Sequence, residues 1–113
     1  MTTLKIDYVE FQTANIEASK RFFEAAFGWS YADYGPEYQE IEGAGLSGGL
    51  TTLSNDNDGA PLVILRTDDL EAASECVAKA GGEIVKPIFS FPGGRRFHFR
   101  EPSGNVLAVW SSE

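Results

Sequence analysis

The chain repeats itself. Val9-Glu10-Phe11-Gln12-Thr13, then Glu17-Ala18, then Ala26 and Gly28, return as Val63-Ile64-Leu65-Arg66-Thr67, Glu71-Ala72, Ala80 and Gly82. The offset is 54 at each matched position (63 from 9, 67 from 13, 71 from 17, 82 from 28). A gapless offset through a strand, a turn and a helix marks two copies of one supersecondary unit. At 113 residues the chain reads as a single domain, 1–113, with module one over about 4–53 and module two over about 61–112. A copy of roughly 50 residues buries too little apolar surface to stand alone. The two copies are therefore expected to share a core, within one chain or across a dimer.

Alternation and breaker residues place the elements. In copy one, a strand over 4–13 precedes a helix capped by Asn15 or Thr13, running to about Phe27 and stopped by Gly28. Ile16, Phe23 and Phe27 recur at helical spacing. Three short strands follow, over 29–34, 38–42 and 46–53, separated by Gly35-Pro36 and Gly43-Ala44-Gly45. The polar loop 54–59 is the one segment that hints at disorder. In copy two, a strand over 62–67 leads to a helix whose start, Asp68 with Glu71, resembles a capping box. Leu70, Ala73, Val77 and Ala80 form its expected buried stripe, Cys76 reads as a small buried residue, and Gly81-Gly82 ends it. Strands over 83–89, 95–100 and 105–111 complete the copy. Each copy is thus expected to be β-α-β-β-β.

Successive strand residues face opposite ways. Val9 and Phe11 should face the first helix, leaving Tyr8, Glu10 and Gln12 on the other face. Val63 and Leu65 should face the second helix, leaving Leu62, Ile64 and Arg66 opposite. Phe97, Phe99, Leu107 and Val109 read as core. Arg96, His98 and Arg100 then share one face, and Val106, Ala108 and Trp110 do not read as core. The faces turned from the helices are expected to line a shared cavity.

The net charge of −8 argues against a nucleic-acid backbone as partner, which calls for clustered Lys and Arg. An acidic surface confers solubility and leaves room for a cationic small molecule. The lone cysteine, Cys76, leaves no intramolecular disulfide and no cysteine-rich zinc site. Lys5 and Asp7 precede any apolar run, so neither a secretory signal nor a membrane span is read, and the expected location is cytoplasmic.

Tyr8-Val9-Glu10-Phe11, the helix segment Arg21-Phe22-Phe23-Glu24-Ala25-Ala26-Phe27-Gly28-Trp29 and the ending Phe97-His98-Phe99-Arg100-Glu101-Pro102-Ser103-Gly104-Asn105-Val106-Leu107-Ala108 carry a resemblance. Together with the repeat, they resemble the vicinal oxygen chelate superfamily over nearly the whole chain. That superfamily includes glyoxalase I, extradiol dioxygenases, fosfomycin-resistance enzymes and bleomycin-binding proteins. The resemblance implies an α+β fold in which two tandem βαβββ modules form a curved, cavity-lining eight-stranded sheet with helices outside. It also implies a homodimer and a divalent metal held by His, Glu or Gln from four strands. The matching positions here are Tyr8, Leu62, Ala108 and one residue within Gly48-Gly49-Leu50. None is a good ligand for such an ion. No metal and no cofactor are therefore expected, and neither glyoxalase nor dioxygenase activity follows from the fold.

The candidate catalytic residues are Glu10, Tyr8 and His98. Tyr8 could donate a hydrogen bond to a ligand or simply fill the space of the missing metal. Glu10 could bind a cation or act as a base, or pair with Arg66, Arg96 or Arg100. His98, the only histidine, could serve as acid or base or be a hydrogen-bonded structural residue. Arg96 and Arg100 could hold an anion or lie solvated near the sheet end. Trp29, Tyr31, Tyr38 and Trp110 could stack on a planar ligand or pack in core and interface. Gly49 brings backbone close to a ligand, a strand or a bulge. With Leu62 and Ala108 these residues form the candidate binding set. The leading expectation is a metal-independent binder of a small planar or aromatic molecule. A metal-independent or relocated-metal lyase, isomerase or dioxygenase-like enzyme is the alternative, and a structural or regulatory dimer the third.

Overall fold

Each copy folds as strand, helix and three further strands in a computed structural model that describes residues 3–113. β1 (Lys5–Gln12) leads into α1 (Ile16–Phe27), then β2 (Ser30–Asp33), β3 (Tyr38–Glu42) and β4 (Gly48–Thr51). β5 (Leu62–Arg66) leads into α2 (Leu70–Lys79), then β6 (Glu83–Phe91), β7 (Gly94–Arg100) and β8 (Val106–Ser111). Eight strands and two helices among the described residues make the expected α+β fold.

Contacts divide the chain into two compact units, Tyr8–Leu62 and the N-terminal segment to Asp7 with Val63–Glu113. The boundary falls inside β1, because Leu4 packs with the α2-side cluster of Leu70, Ala73, Phe97 and Val109. In the first unit the strand order is β2-β3-β4-β1, with β1 and β4 parallel and the other pairs antiparallel. In the second it is β5-β8-β7-β6, with β5 and β8 parallel. The repeat persists in the register. Glu10 pairs with Gly49, and Ile64, its counterpart in the repeat, pairs with Ala108. Gly49 is therefore the counterpart of Ala108, a position that sequence alone left open within 48–50.

Short polar side chains set the helix starts. Asn15 Oδ1 accepts from the Ala18 N–H at 3.0 Å, while Thr13 Oγ1 accepts from the Asn15 N–H at 3.1 Å. The second helix repeats this 54 residues on, with Asp69 Oδ1 accepting from Ala72 N–H and Thr67 Oγ1 accepting from Asp69 N–H, each at 3.1 Å. The cap is thus Asp69, not Asp68. The capping oxygen must reach the N–H three residues ahead, and Asp68 stands one residue early. Gly28 ends α1 at φ 77°, where its N–H bonds Glu24 O at 2.9 Å.

The helix-side cores match across the repeat. Ile16, Ile41 and Leu50, with Phe11, Phe23 and Trp29 against them, hold α1 on its strands. Leu70, Ala73, Phe97 and Val109, with Leu65, Val77 and Phe99, hold α2. Several expectations fail here. Phe27 is 62% exposed, and Ala80 and Cys76 are exposed, because each helix lays only a narrow stripe on its sheet. Val106 and Ala108 are buried, so β8 is shielded on both faces rather than one. The loop 54–59 is built around a fully buried Asn55, whose side chain bonds Asn57 N–H and Ala60 O.

Candidate functional site

The face of the first unit turned from α1 is made of alternate residues on three strands. Phe11 and Ile41 lie in the α1 cluster, so Tyr8 and Glu10 on β1, and Tyr38 and Glu40 on β3, point the other way. Glu10 and Glu40 pair with Gly49 from its two sides. They flank a position with no side chain. β1 and β3 run in opposite directions, so Tyr8 and Tyr38, each two residues before a glutamate, approach Gly49 from opposite corners. Their hydroxyls meet at 2.5 Å. A methyl built on Gly49 would stand 2.5 Å from Tyr8 Oη and 2.6 Å from Tyr38 Cζ, and nearer still to Tyr38 Oη. Only glycine leaves room for this pair of phenols.

Tyr38 Oη donates to Glu10 Oε2 at 3.1 Å, and Glu10 is only 4% exposed. Burial drives the Tyr8 phenol up to about 12, and the Glu10 and Glu40 carboxylates add to it. Burial also raises the Tyr38 phenol, with the charge of Glu10 the next cause. Both phenols therefore hold their protons at neutral pH. General acids and bases work best with a pKa near the operating pH, so these two act through hydrogen bonds instead.

Each of the other candidates has its own surroundings within its unit. Trp29 stacks on Phe23 at 4.8 Å on the α1 side, away from Tyr8 and Glu10. A cavity beside it, lined in part by Phe11, Ile41 and Leu46, holds about 120 Å³. Small-molecule sites usually need roughly 300 Å³ or more. Tyr31 also packs against the α1 cluster. In the second unit, His98 is fully buried opposite Ala108, with its ring edge-on to Phe89 at 5.5 Å. Arg96 lies 5.5 Å from the ring centres of both Phe89 and Phe91. Arg100 forms an exposed ion pair with Glu83 at 2.6 Å. Trp110 Nε1 donates to Asp7 Oδ2 at 3.0 Å, and Arg66 covers its ring at 5.6 Å. Leu62 and Ala108 are fully buried. A wider cleft of about 520 Å³, lined by residues 3–7 and 66–69, contains none of the candidates.

The structure thus joins Tyr8, Glu10, Tyr38 and Gly49 into one cluster. Sequence reasoning missed Glu40, although the alternation around buried Ile41 carries that signal. It also missed Glu101. The Glu101 carboxylate accepts from Ser103 N–H and Asn105 N–H, both at 2.9 Å, and so ties the Pro102-Ser103-Gly104 turn. Those backbone hydrogen bonds hold its pKa below the ordinary value.

The model of the Glyoxalase/Bleomycin resistance protein/Dioxygenase superfamily matches residues 5–109. The chain belongs to that superfamily. Among relatives of this glyoxalase-superfamily chain, CFP32 of Mycobacterium bovis, provisionally named a glyoxylase, is 25% identical over 122 residues, covering 94% of this chain and 45% of that protein. The anthracycline biosynthesis protein DnrV of Streptomyces peucetius is 28% identical over 125 residues, covering 85% of this chain and 42% of its own length. The chain therefore spans just under half the length of these two relatives. A superfamily member from Vibrio splendidus shares the fold, with a TM-score of 0.66 at 18% identity, over 96% of this chain and 99% of that one.

The metal that the superfamily implies does not fit these residues. At the matching positions, Tyr8 offers a phenol whose proton burial retains, and Leu62 and Ala108 offer no donor atom. Gly49 has no side chain, and the space where one would begin is filled by two phenols. Among the described residues no group of three or more His, Cys, Asp and Glu is placed to hold a metal ion.

Proposed function

We propose that this chain binds a small planar or aromatic molecule without a metal, and that the Tyr8–Tyr38–Glu10 face supplies its polar contacts. The observation that carries this reading is Gly49. Where the superfamily places a metal-binding carboxylate, two phenols and a glycine form a hydrogen-bonding surface instead. DnrV supports the choice of guest, since its name ties it to the biosynthesis of anthracyclines, which are planar and aromatic. The test is a thermal-shift panel of aromatic compounds, run with and without divalent metals on protein purified without a metal-binding tag. Saturation at a hundred times Kd stabilises by roughly 2.7 kcal/mol. Stoichiometric tightly bound zinc, nickel, manganese or iron would sink the metal-free reading. A panel that shifts nothing would sink the binder.

An enzyme is the second reading, favoured by a buried carboxylate, Glu10, in contact with a hydroxyl. In it, Glu10 carries the proton while Tyr8 positions substrate, and Glu10→Gln should abolish turnover with folding intact; unchanged turnover would remove Glu10 from the mechanism.

A second copy of the chain is the partner we infer. Phe22, Phe27 and Leu46 are 60%, 62% and 70% exposed on the first unit, more apolar surface than a solvated face needs. A second copy, which the superfamily resemblance also implies, would cover these side chains. Sedimentation should give a dimer that Phe22→Glu weakens, and a monomer at high protein concentration would refute it. No helix among the described residues is long and apolar enough to cross a membrane. The composition fits a cytoplasmic setting.

A further inference from the structure

We propose that the ligand of this face presents a hydrogen-bond donor, a protonated amine, to Tyr8 Oη. The inference rests on the binding role proposed above for Tyr8, Tyr38 and Glu10, and it adds the chemical class of the group bound.

It follows from counting protons. Each phenol has one. A carboxylate has none and only accepts, so the proton of Tyr38 goes to Glu10 Oε2. The Tyr38 oxygen is then the acceptor in its 2.5 Å contact with Tyr8, and the proton in that contact belongs to Tyr8. The chain is ordered Tyr8 to Tyr38 to Glu10, with every donor aimed inward. Tyr8 has no proton left to offer outward. What it presents is an oxygen lone pair, the reverse of the donor role expected from the sequence. A carbonyl, carboxylate or phosphate would meet it lone pair to lone pair. An N–H would complete it. A protonated amine is favoured over a neutral one, because Glu10 and Glu40 stand on the same face on either side of Gly49.

The probes are three naphthalenes of one shape: 2-naphthylmethylamine, a cation at neutral pH; methyl 2-naphthoate, a neutral acceptor; and 2-naphthoate, an anion. Calorimetric Kd values are measured on the intact protein. A hydrogen bond to a charged group changes affinity by about tenfold or more. The amine should therefore bind at least about tenfold tighter than the ester. Tyr8→Phe should erase that advantage and leave the ester within about threefold, since only the acceptor oxygen is lost. Tyr8→Phe keeps every charge, so mere attraction of a cation to an acidic protein would survive it. Glu10→Gln offers an amide N–H to Tyr38, which allows the chain to reverse, and should narrow the preference even if Tyr8→Phe folds poorly. If the ester or anion binds as tightly as the amine, the proton order is wrong while the binding role stands. If none of the three binds, both fall.

Discussion

Replacing Gly49 with alanine places a methyl where the Tyr8 and Tyr38 hydroxyls already are. The new carbon would stand 2.5 Å from Tyr8 Oη and 2.6 Å from Tyr38 Cζ, far inside van der Waals contact. The backbone of β4 offers little relief, because Gly49 is paired with Glu10 on one side and Glu40 on the other. Two responses are open. The phenols can swing away, which breaks one neutral hydrogen bond and one to a carboxylate, losing about 1 and about 2 kcal/mol. Alternatively the strands shift and the site is overpacked, at about 1–3 kcal/mol. The two routes set the loss at about 1–3 kcal/mol. Urea denaturation of Gly49→Ala against the parent measures it.

The decisive comparison is the same substitution in a Tyr8→Ala/Tyr38→Ala background, which removes both phenols. There the colliding atoms are gone, and Gly49→Ala should cost less than about 0.5 kcal/mol. The difference between the two backgrounds is a coupling energy, which neighbouring residues in one network are expected to show. An equal loss in both backgrounds would refute the reasoning, because Gly49 would then be required for strand geometry and not for the phenols.

Alkaline stability reports on the same cluster. The Tyr8 phenol sits at about 12 against an ordinary 10.0, so the folded state holds its proton more tightly than the unfolded chain does. That stability is fully present below pH 10 and is lost as pH rises toward 12. Solvent screening of a half-buried group cuts the nominal loss to about 1 kcal/mol, and Tyr8→Phe should flatten the decline by that amount. An unchanged slope in the variant would show that other groups set it. At the second helix, Asp69→Ala should lower stability by about 1 kcal/mol while Asp68→Ala stays within about 0.5 kcal/mol, read from urea midpoints. The reverse order would mean that the cap is misassigned. Glu101→Gln should lower the melting temperature at neutral pH. Because the folded-state pKa of Glu101 lies below its ordinary 4.5, the stabilisation is present above that value and is lost as pH falls through the folded-state pKa. A deficit that persists undiminished in acid would assign the effect to packing instead.

The repeat made the first half of each copy legible. Strand, cap and helix are local, and the offset of 54 carries Thr13 and Asn15 onto Thr67 and Asp69, which hold the same bonds. The offset itself favours Asp69 over Asp68 as the cap, because Asp69 is the counterpart of Asn15. The same ruler fails after the helices. β2 has 4 residues where β6 has 9, and β3 has 5 where β7 has 7. With the lengths unequal, no offset says which residue of β3 faces which residue of β1. That is why Tyr8 and Glu10 could be placed on a face while their meeting with Tyr38 could not. The meeting depends on a diagonal across β4, and a diagonal depends on register. Given the register, the glycine and the tyrosines prove to be one choice and not three. A side chain at 49 excludes the phenol pair, and the phenol pair excludes a carboxylate at 49. A metal-binding glutamate could not be restored there by Gly49→Glu alone, since its first carbon already collides. It would also require smaller residues at 8 and 38, and the change at 38 would release Glu10 from its hydroxyl partner. Moving between the two arrangements therefore takes at least three substitutions, and each one alone lowers stability. Such a barrier explains how a scaffold can keep one solution at this point of the sheet once it has adopted it.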